Sequence, residues 1–152
     1  MNKFQNAQRA ALVSAVLANV SLVALAQETL TPTKLAGVEI ISVERAKALL
    51  GKAQFFDMRS AVNYGKGHLK GAVATPYDNK SENAENFDAG KDKFDMTKLP
   101  TDKNADIVFY SDSPTGWKSY KAAATMSKLG YKNVKWMREG TGGWSEKSLP
   151  LE

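Results

Sequence analysis

Ser111, Asp112, Ser113, Thr115 and Gly116, followed directly by Trp117, Lys118 and Ser119, bring hydroxyls, a carboxylate, an ammonium and a turn-forming glycine into one short stretch. Just before it, Ile107, Val108, Phe109 and Tyr110 form a continuous apolar run of the kind that fills a strand covered on both faces. Just after it, Ala122, Ala123, Met126 and Leu129 recur at helical spacing until Gly130 stops the helix. The loop therefore sits on a helix N-terminus, where unpaired N–H groups and the positive end of the helix dipole favour an anion. A plain strand-to-helix connection has the same pattern, and the residues alone leave both readings open. Nucleophilic chemistry here would have to come from oxygen, because the chain contains no cysteine. A serine hydroxyl needs an adjacent base, and the only histidine is His68, in a glycine-punctuated turn. The missing cysteine also rules out disulfides, thiolate metal sites and thiol catalysis within this chain.

Other candidates are fewer. Asp57 and Arg59 stand where the strand around Phe55 and Phe56 gives way to charge; they can support a pocket or form a buried ion pair beneath the loop. Lys118 can complement a bound oxyanion or simply be solvated. Asp88, Asp92 and Asp95 lack the alternating oxygen ligands and turn glycine of a calcium loop, and Lys91 and Lys93 oppose one, so neither a metal nor a cofactor is expected. Trp117, Tyr120, Trp136 and Trp144 read as packing residues, with Trp117 closest to the loop.

These groups need elements to hold them. Val38 to Ile41 reads as a first strand, after which Ser42 can cap a helix with Val43, Ala46, Leu49 and Leu50 on its apolar face. The Phe55–Phe56 strand, a short extended piece at Ala72 to Ala74, the Ile107–Tyr110 strand and a last strand at Val134 to Met137 complete the series. Residues 78–106 are polar and read as a long surface excursion with a short helix near Phe94 to Leu99. Alternating strands and helices predict an α/β fold with a central, mostly parallel sheet flanked by helices.

Composition is that of one globular domain: 152 residues, 43% apolar and 24% charged. Positions 1–26 stand apart. Lys3 and Arg9 precede an apolar stretch from Ala10 to Ala26 that ends in Ala24, Leu25 and Ala26, the pattern of a secretory signal with cleavage after Ala26. Ser14, Asn19 and Ser21 interrupt the stretch, which falls short of the roughly 20 apolar residues of a membrane span, so no stable span is expected after cleavage. Without Lys3 and Arg9, 19 basic residues face 16 acidic ones, a net charge of +3. The lysines are scattered among acidic residues, which argues against nucleic-acid binding. A periplasmic or secreted monomer is expected, divided into a signal peptide (1–26), a linker (27–36) and one domain (37–152).

In order and spacing, DMRS at 57–60, GHLKGA at 67–72, IVFYS at 107–111, KSYKAA at 118–123, LGYKNVKWM at 129–137 and EGTGGWSEKSLPLE at 139–152 resemble the rhodanese-like domains. The resemblance implies a three-layer rhodanese-like fold. In that family a cysteine directly after the strand tyrosine takes a sulfane sulfur from a thiosulfate-type donor, holds it as a persulfide and passes it on. Anchored on the strand, the comparison puts Ser111 at that position; anchored on Gly116, Lys118 and Ser119, it points to Ser113. Serine forms no persulfide. The resemblance thus implies a domain inactive as a sulfurtransferase, whose loop retains a site for a small sulfur-containing oxyanion or for a periplasmic protein partner. Two alternatives stand beside it: a sulfurtransferase whose cysteine was replaced by Ser111, and an interaction module working through residues 78–106.

Overall fold

The computed structural model describes residues 28–152; the expected signal peptide and its cleavage point lie outside them. Five strands form one parallel sheet: β1 (Val38–Ile40), β2 (Gln54–Asp57), β3 (Val73–Ala74), β4 (Ile107–Tyr110) and β5 (Val134–Met137), in the spatial order β1-β5-β4-β2-β3. β4 lies centrally, paired residue for residue with β2 (Asp57 opposite Tyr110) and with β5 (Tyr110 opposite Met137). The helices are α1 (Val43–Leu49), α2 (Ala61–Gly65), α3 (Trp117–Lys128) and α4 (Gly140–Glu146). This is the α/β architecture the sequence predicts.

Strand side chains alternate between two cores. Phe56, Ile107, Phe109, Val134 and Trp136 pack on one face against Trp117, Tyr120, Ala123 and Met126, from the region of α3. Phe55, Val108, Tyr110 and Met137 pack on the other against Val43 and Ala46 of α1, Trp144 of α4, and Leu69. Period-2 alternation with both faces apolar is what makes the IVFY run continuous in sequence. Ser42 caps α1 by accepting from the Arg45 N–H at 3.2 Å.

Several boundaries differ from the sequence reading. The expected short helix near Phe94–Leu99 is a 3-10 turn, Met96–Lys98, whose Thr97 N–H donates to Asp95. The segment after β5 winds into α4, although its glycines disfavour a helix, because Trp144 buries itself in the core and donates Nε1–H to the Pro150 carbonyl at 3.0 Å. The excursion is also less superficial than its composition suggests: Phe87 and Leu99 enter the core, and the Asp92 side chain is buried. Among the described residues no helix is long and apolar enough to cross a membrane.

Candidate functional site

At the carboxyl end of β4 the chain leaves the centre of the sheet, the place where open α/β sheets present ligand sites. Residues 111–116 form the connecting loop, and Gly116 is the N-cap of α3, with no side-chain hydrogen bond capping the helix. Four contacts shape the loop from within: Ser113 Oγ and Thr115 Oγ1 lie 2.8 Å apart, Thr115 N–H donates to Ser113 Oγ, Gly116 N–H to the Ser113 carbonyl and Trp117 N–H to the Thr115 carbonyl. From outside, α4 holds it, with Thr141 N–H donating to the Ser111 carbonyl (3.0 Å) and Gly142 N–H to that of Asp112 (2.7 Å). Gly140 makes this approach feasible. Its φ is +60°, and a β-carbon there would lie 2.5 Å from the Ser111 carbonyl oxygen.

Beneath the loop lies a buried polar cluster. Asp57 is fully buried and accepts from the backbone N–H, Nε and Nη2 of Arg59, the last at 2.6 Å, and from the Tyr110 hydroxyl at 2.8 Å. Arg59 Nη2 also donates to the Gly67 carbonyl, and Leu69 N–H donates to the Tyr110 oxygen. Burial opposes the Arg59 charge, but the hydrogen bond and charge of Asp57 outweigh it and hold the guanidinium above its ordinary pKa. Burial, followed by the neighbouring Asp57 carboxylate, pushes the Tyr110 phenol far up. Asp57 and Arg59 are thus the floor on which Tyr110, and so the start of the loop, rests; they are not among the residues lining the cavity above.

That cavity, of about 410 Å³, is lined by the loop residues Ser111, Asp112, Ser113, Thr115 and Gly116, by Lys118, and by Glu28, Asn79 and Asn83 from elsewhere in the chain. Ser111 is only 2% exposed, and its Oγ makes no hydrogen bond among the described residues. It lies beside the start of α3, 2.9 Å from where a Gly116 β-carbon would be, so any larger residue at 116 would press on it. Ser119 is turned away, donating to the Gly116 carbonyl and accepting from Trp136 Nε1. Trp117 is buried and donates Nε1–H to the Thr29 carbonyl. The one histidine does not line the cavity with Ser111. His68 stacks on Tyr64 at 3.8 Å between ring centroids, and its backbone pairs with Glu152.

Two walls of the cavity come from segments that sequence reasoning did not connect to it. Residues 28–32 lie across the loop: Thr31 donates both N–H and Oγ1–H to the Pro114 carbonyl, Arg138 donates to Thr31 and Pro32, and Thr115 Oγ1 donates to the Glu28 carboxylate. These residues fall within the span read as a linker. The polar excursion supplies Asn79 and Asn83. It is fixed to α3 by Lys121, which is fully buried and bonded to Asn79, Ser81 and, at 3.6 Å, Asp92. Asp92 in turn accepts from Ser81, Lys80 and Tyr77; burial raises its pKa, but these bonds prevail and lower it to about 2. Burial lowers the Lys121 pKa against the opposing pull of Asp92. A lysine amid Ala122, Ala123 and Ala124 was the one sequence signal of this attachment.

A larger cleft of about 550 Å³ opens at the other end of β2, between residues 50–55 and 70–73; Lys52 and Lys70 are its only charged lining residues, and it brings no catalytic groups together.

A five-stranded parallel sheet flanked by helices, with a short loop running from its central strand onto a helix N-terminus, places the chain in the open α/β class. The family model described as the rhodanese-like domain matches residues 42–147, and the chain belongs to that family. An uncharacterized protein of Escherichia coli strain K12, YibN, is 26% identical over 117 residues, 75% of this chain and 72% of YibN. Among solved structures, BH2092 from Bacillus halodurans shares the fold with a TM-score of 0.56 at 19% identity, over 75% of this chain and 76% of that one. The polysulfide-sulfur transferase homodimer from Wolinella succinogenes has the same TM-score at 18% identity, over 77% and 80%. Within this family, the chain has no cysteine for its loop to present.

Proposed function

We propose that this chain is an exported rhodanese-like domain that binds a small sulfur-containing oxyanion, or the corresponding group on a periplasmic protein, without carrying sulfur itself. One observation carries the reading: a nearly buried Ser111 hydroxyl, unpartnered among the described residues, lies beside the start of the twelve-residue helix α3, which no side chain caps, and lines one cavity with Lys118. A helix start of this length offers N–H donors and a partial positive charge to an anion. The hydroxyl adds a donor, but it cannot replace a thiolate, because oxygen forms no persulfide. Glu28 and Asp112 also line the cavity. The Glu28 carboxylate, held by Thr115, stands in as an internal anion that an external one displaces. The leader at 1–26 supports export. Thiosulfate:cyanide sulfur transfer by the purified chain should not exceed the buffer rate; clear turnover would overturn the proposal.

The second reading, a transferase deprived of its thiol, is favoured by the preserved loop position. It also separates the two serines. Ser113 Oγ is engaged with Thr115 inside the loop, whereas Ser111 faces the helix start. Persulfide formation with thiosulfate by the S111C variant, and not by S113C, would support it; inert S111C and S113C proteins would reject it.

A further inference from the structure

We infer that Lys121, though it does not line the cavity, is a positioning residue for it, acting through an amide relay that turns Asn83 into a hydrogen-bond donor for the ligand. The inference rests on the oxyanion reading above and names a residue that recognises the anion.

The relay follows from what each group can do. A lysine ammonium only donates. Lys121 Nζ donates to Asn79 Oδ1, to the Ser81 carbonyl at 3.0 Å and to Ser81 Oγ at 2.7 Å. With Asn79 Oδ1 committed to Lys121, the Asn79 NH₂ must face away. It donates to Asn83 Oδ1 at 3.0 Å. The Asn83 oxygen is thereby committed as well, and its NH₂, on an exposed side chain lining the cavity, has no partner among the described residues. Each amide flip is fixed by the one before it, starting from an ammonium that has no freedom of its own. Lys121 is locked by Asp92, which closes a loop through Ser81: the Ser81 hydroxyl accepts from Lys121 and donates to Asp92 at 2.6 Å. A buried positive charge is thus expressed at the cavity wall as an outward N–H donor, in the cavity that Ser111, Gly116 and Lys118 also line. Several donors on one cavity select an acceptor-rich ligand.

The test is a double-mutant cycle on the full chain, with thiosulfate as the probe and binding read by calorimetry and by the side-chain NH₂ resonances of Asn83. N83L removes the donor and should weaken binding on the order of tenfold, as for one hydrogen bond to a charged group. N79L leaves the donor in place but unoriented and should weaken binding by a smaller factor. In the double variant N79L/N83L the loss should equal that of N83L alone, because both act through one amide. The Asn83 NH₂ resonances should shift on addition of thiosulfate to the parent chain. All three variants keep Lys121, Ser81 and Asp92, and amide spectra matching the parent's away from the substituted residues check that the fold is retained. Undiminished binding by N83L, or independent, additive losses, would overturn the relay while leaving the oxyanion reading intact; failure of the parent chain to bind thiosulfate would overturn both.

Discussion

Replacing Asp57 by asparagine keeps the shape of the side chain and removes the only carboxylate bonded to Arg59 among the described residues. Asp57 is fully buried and Arg59 is 6% exposed, so the guanidinium loses its bonded counter-charge in a place water barely reaches. The new amide NH₂ must also face either the guanidinium or the Tyr110 hydroxyl, both donors toward this site. Removing one partner of a buried pair costs about 3–5 kcal/mol, a large part of the 5–15 kcal/mol that typically stabilises a domain. With a urea dependence of about 2 kcal/mol per molar, the unfolding midpoint of D57N should fall by roughly 2 M. The transition is readily followed by fluorescence, since Trp117, Trp136 and Trp144 are all buried. D57L/R59M, which replaces the whole pair by apolar side chains, should recover much of the loss. Because the pair supports the loop from below and does not line the cavity, thiosulfate affinity of the folded D57N fraction should change little. A midpoint loss equivalent to less than about 1 kcal/mol would refute the reasoning, showing that the cluster is wet or that its charges are not mutually dependent.

Further outcomes follow from other parts of the molecule. Asp92, held at a pKa of about 2 against an ordinary 3.8, contributes stability that is complete above pH 4 and lost as pH falls toward 2, roughly 2 kcal/mol in all; acid titration of unfolding should show this slope, and D92N should lack it. Gly140→Ala combines a left-handed backbone with a β-carbon 2.5 Å from the Ser111 carbonyl, so it should cost about 3 kcal/mol or more in denaturation and abolish thiosulfate binding at the loop. Glu28→Gln removes the internal anion and should raise thiosulfate affinity by about threefold to tenfold at low salt, equivalent to ~1 kcal/mol, with the gain shrinking at 0.5 M salt.

Much of this architecture is legible in the chain because hydrophobic pattern and turn chemistry are local. The IVFY run, the Ser42 cap, the helix ending near Gly130 and the parallel α/β class all follow from neighbours within a few residues. What escaped were contacts between distant residues. Lys121 meets Asn79 and Ser81 across about 40 positions, and Thr31 meets Pro114 across 83. No periodicity signals either. The α4 helix was hidden for a different reason: glycines at 140, 142 and 143 argue against helix, and the value of Gly140 and Gly142 lies in letting the backbone touch the loop, a tertiary requirement that overrides propensity. The loop itself could be located from sequence, but the cavity walls, contributed by Glu28, Asn79 and Asn83, could not.

The most direct test of the account is a titration of the ¹⁵N-labelled chain with thiosulfate, read at backbone and side-chain amides. The account predicts saturable shifts concentrated on residues 111–120 and on the Asn83 side chain, with no release of sulfite and no turnover in the presence of cyanide. Shifts confined to the cleft around Lys52 and Lys70, or no saturable shifts at all, would contradict it.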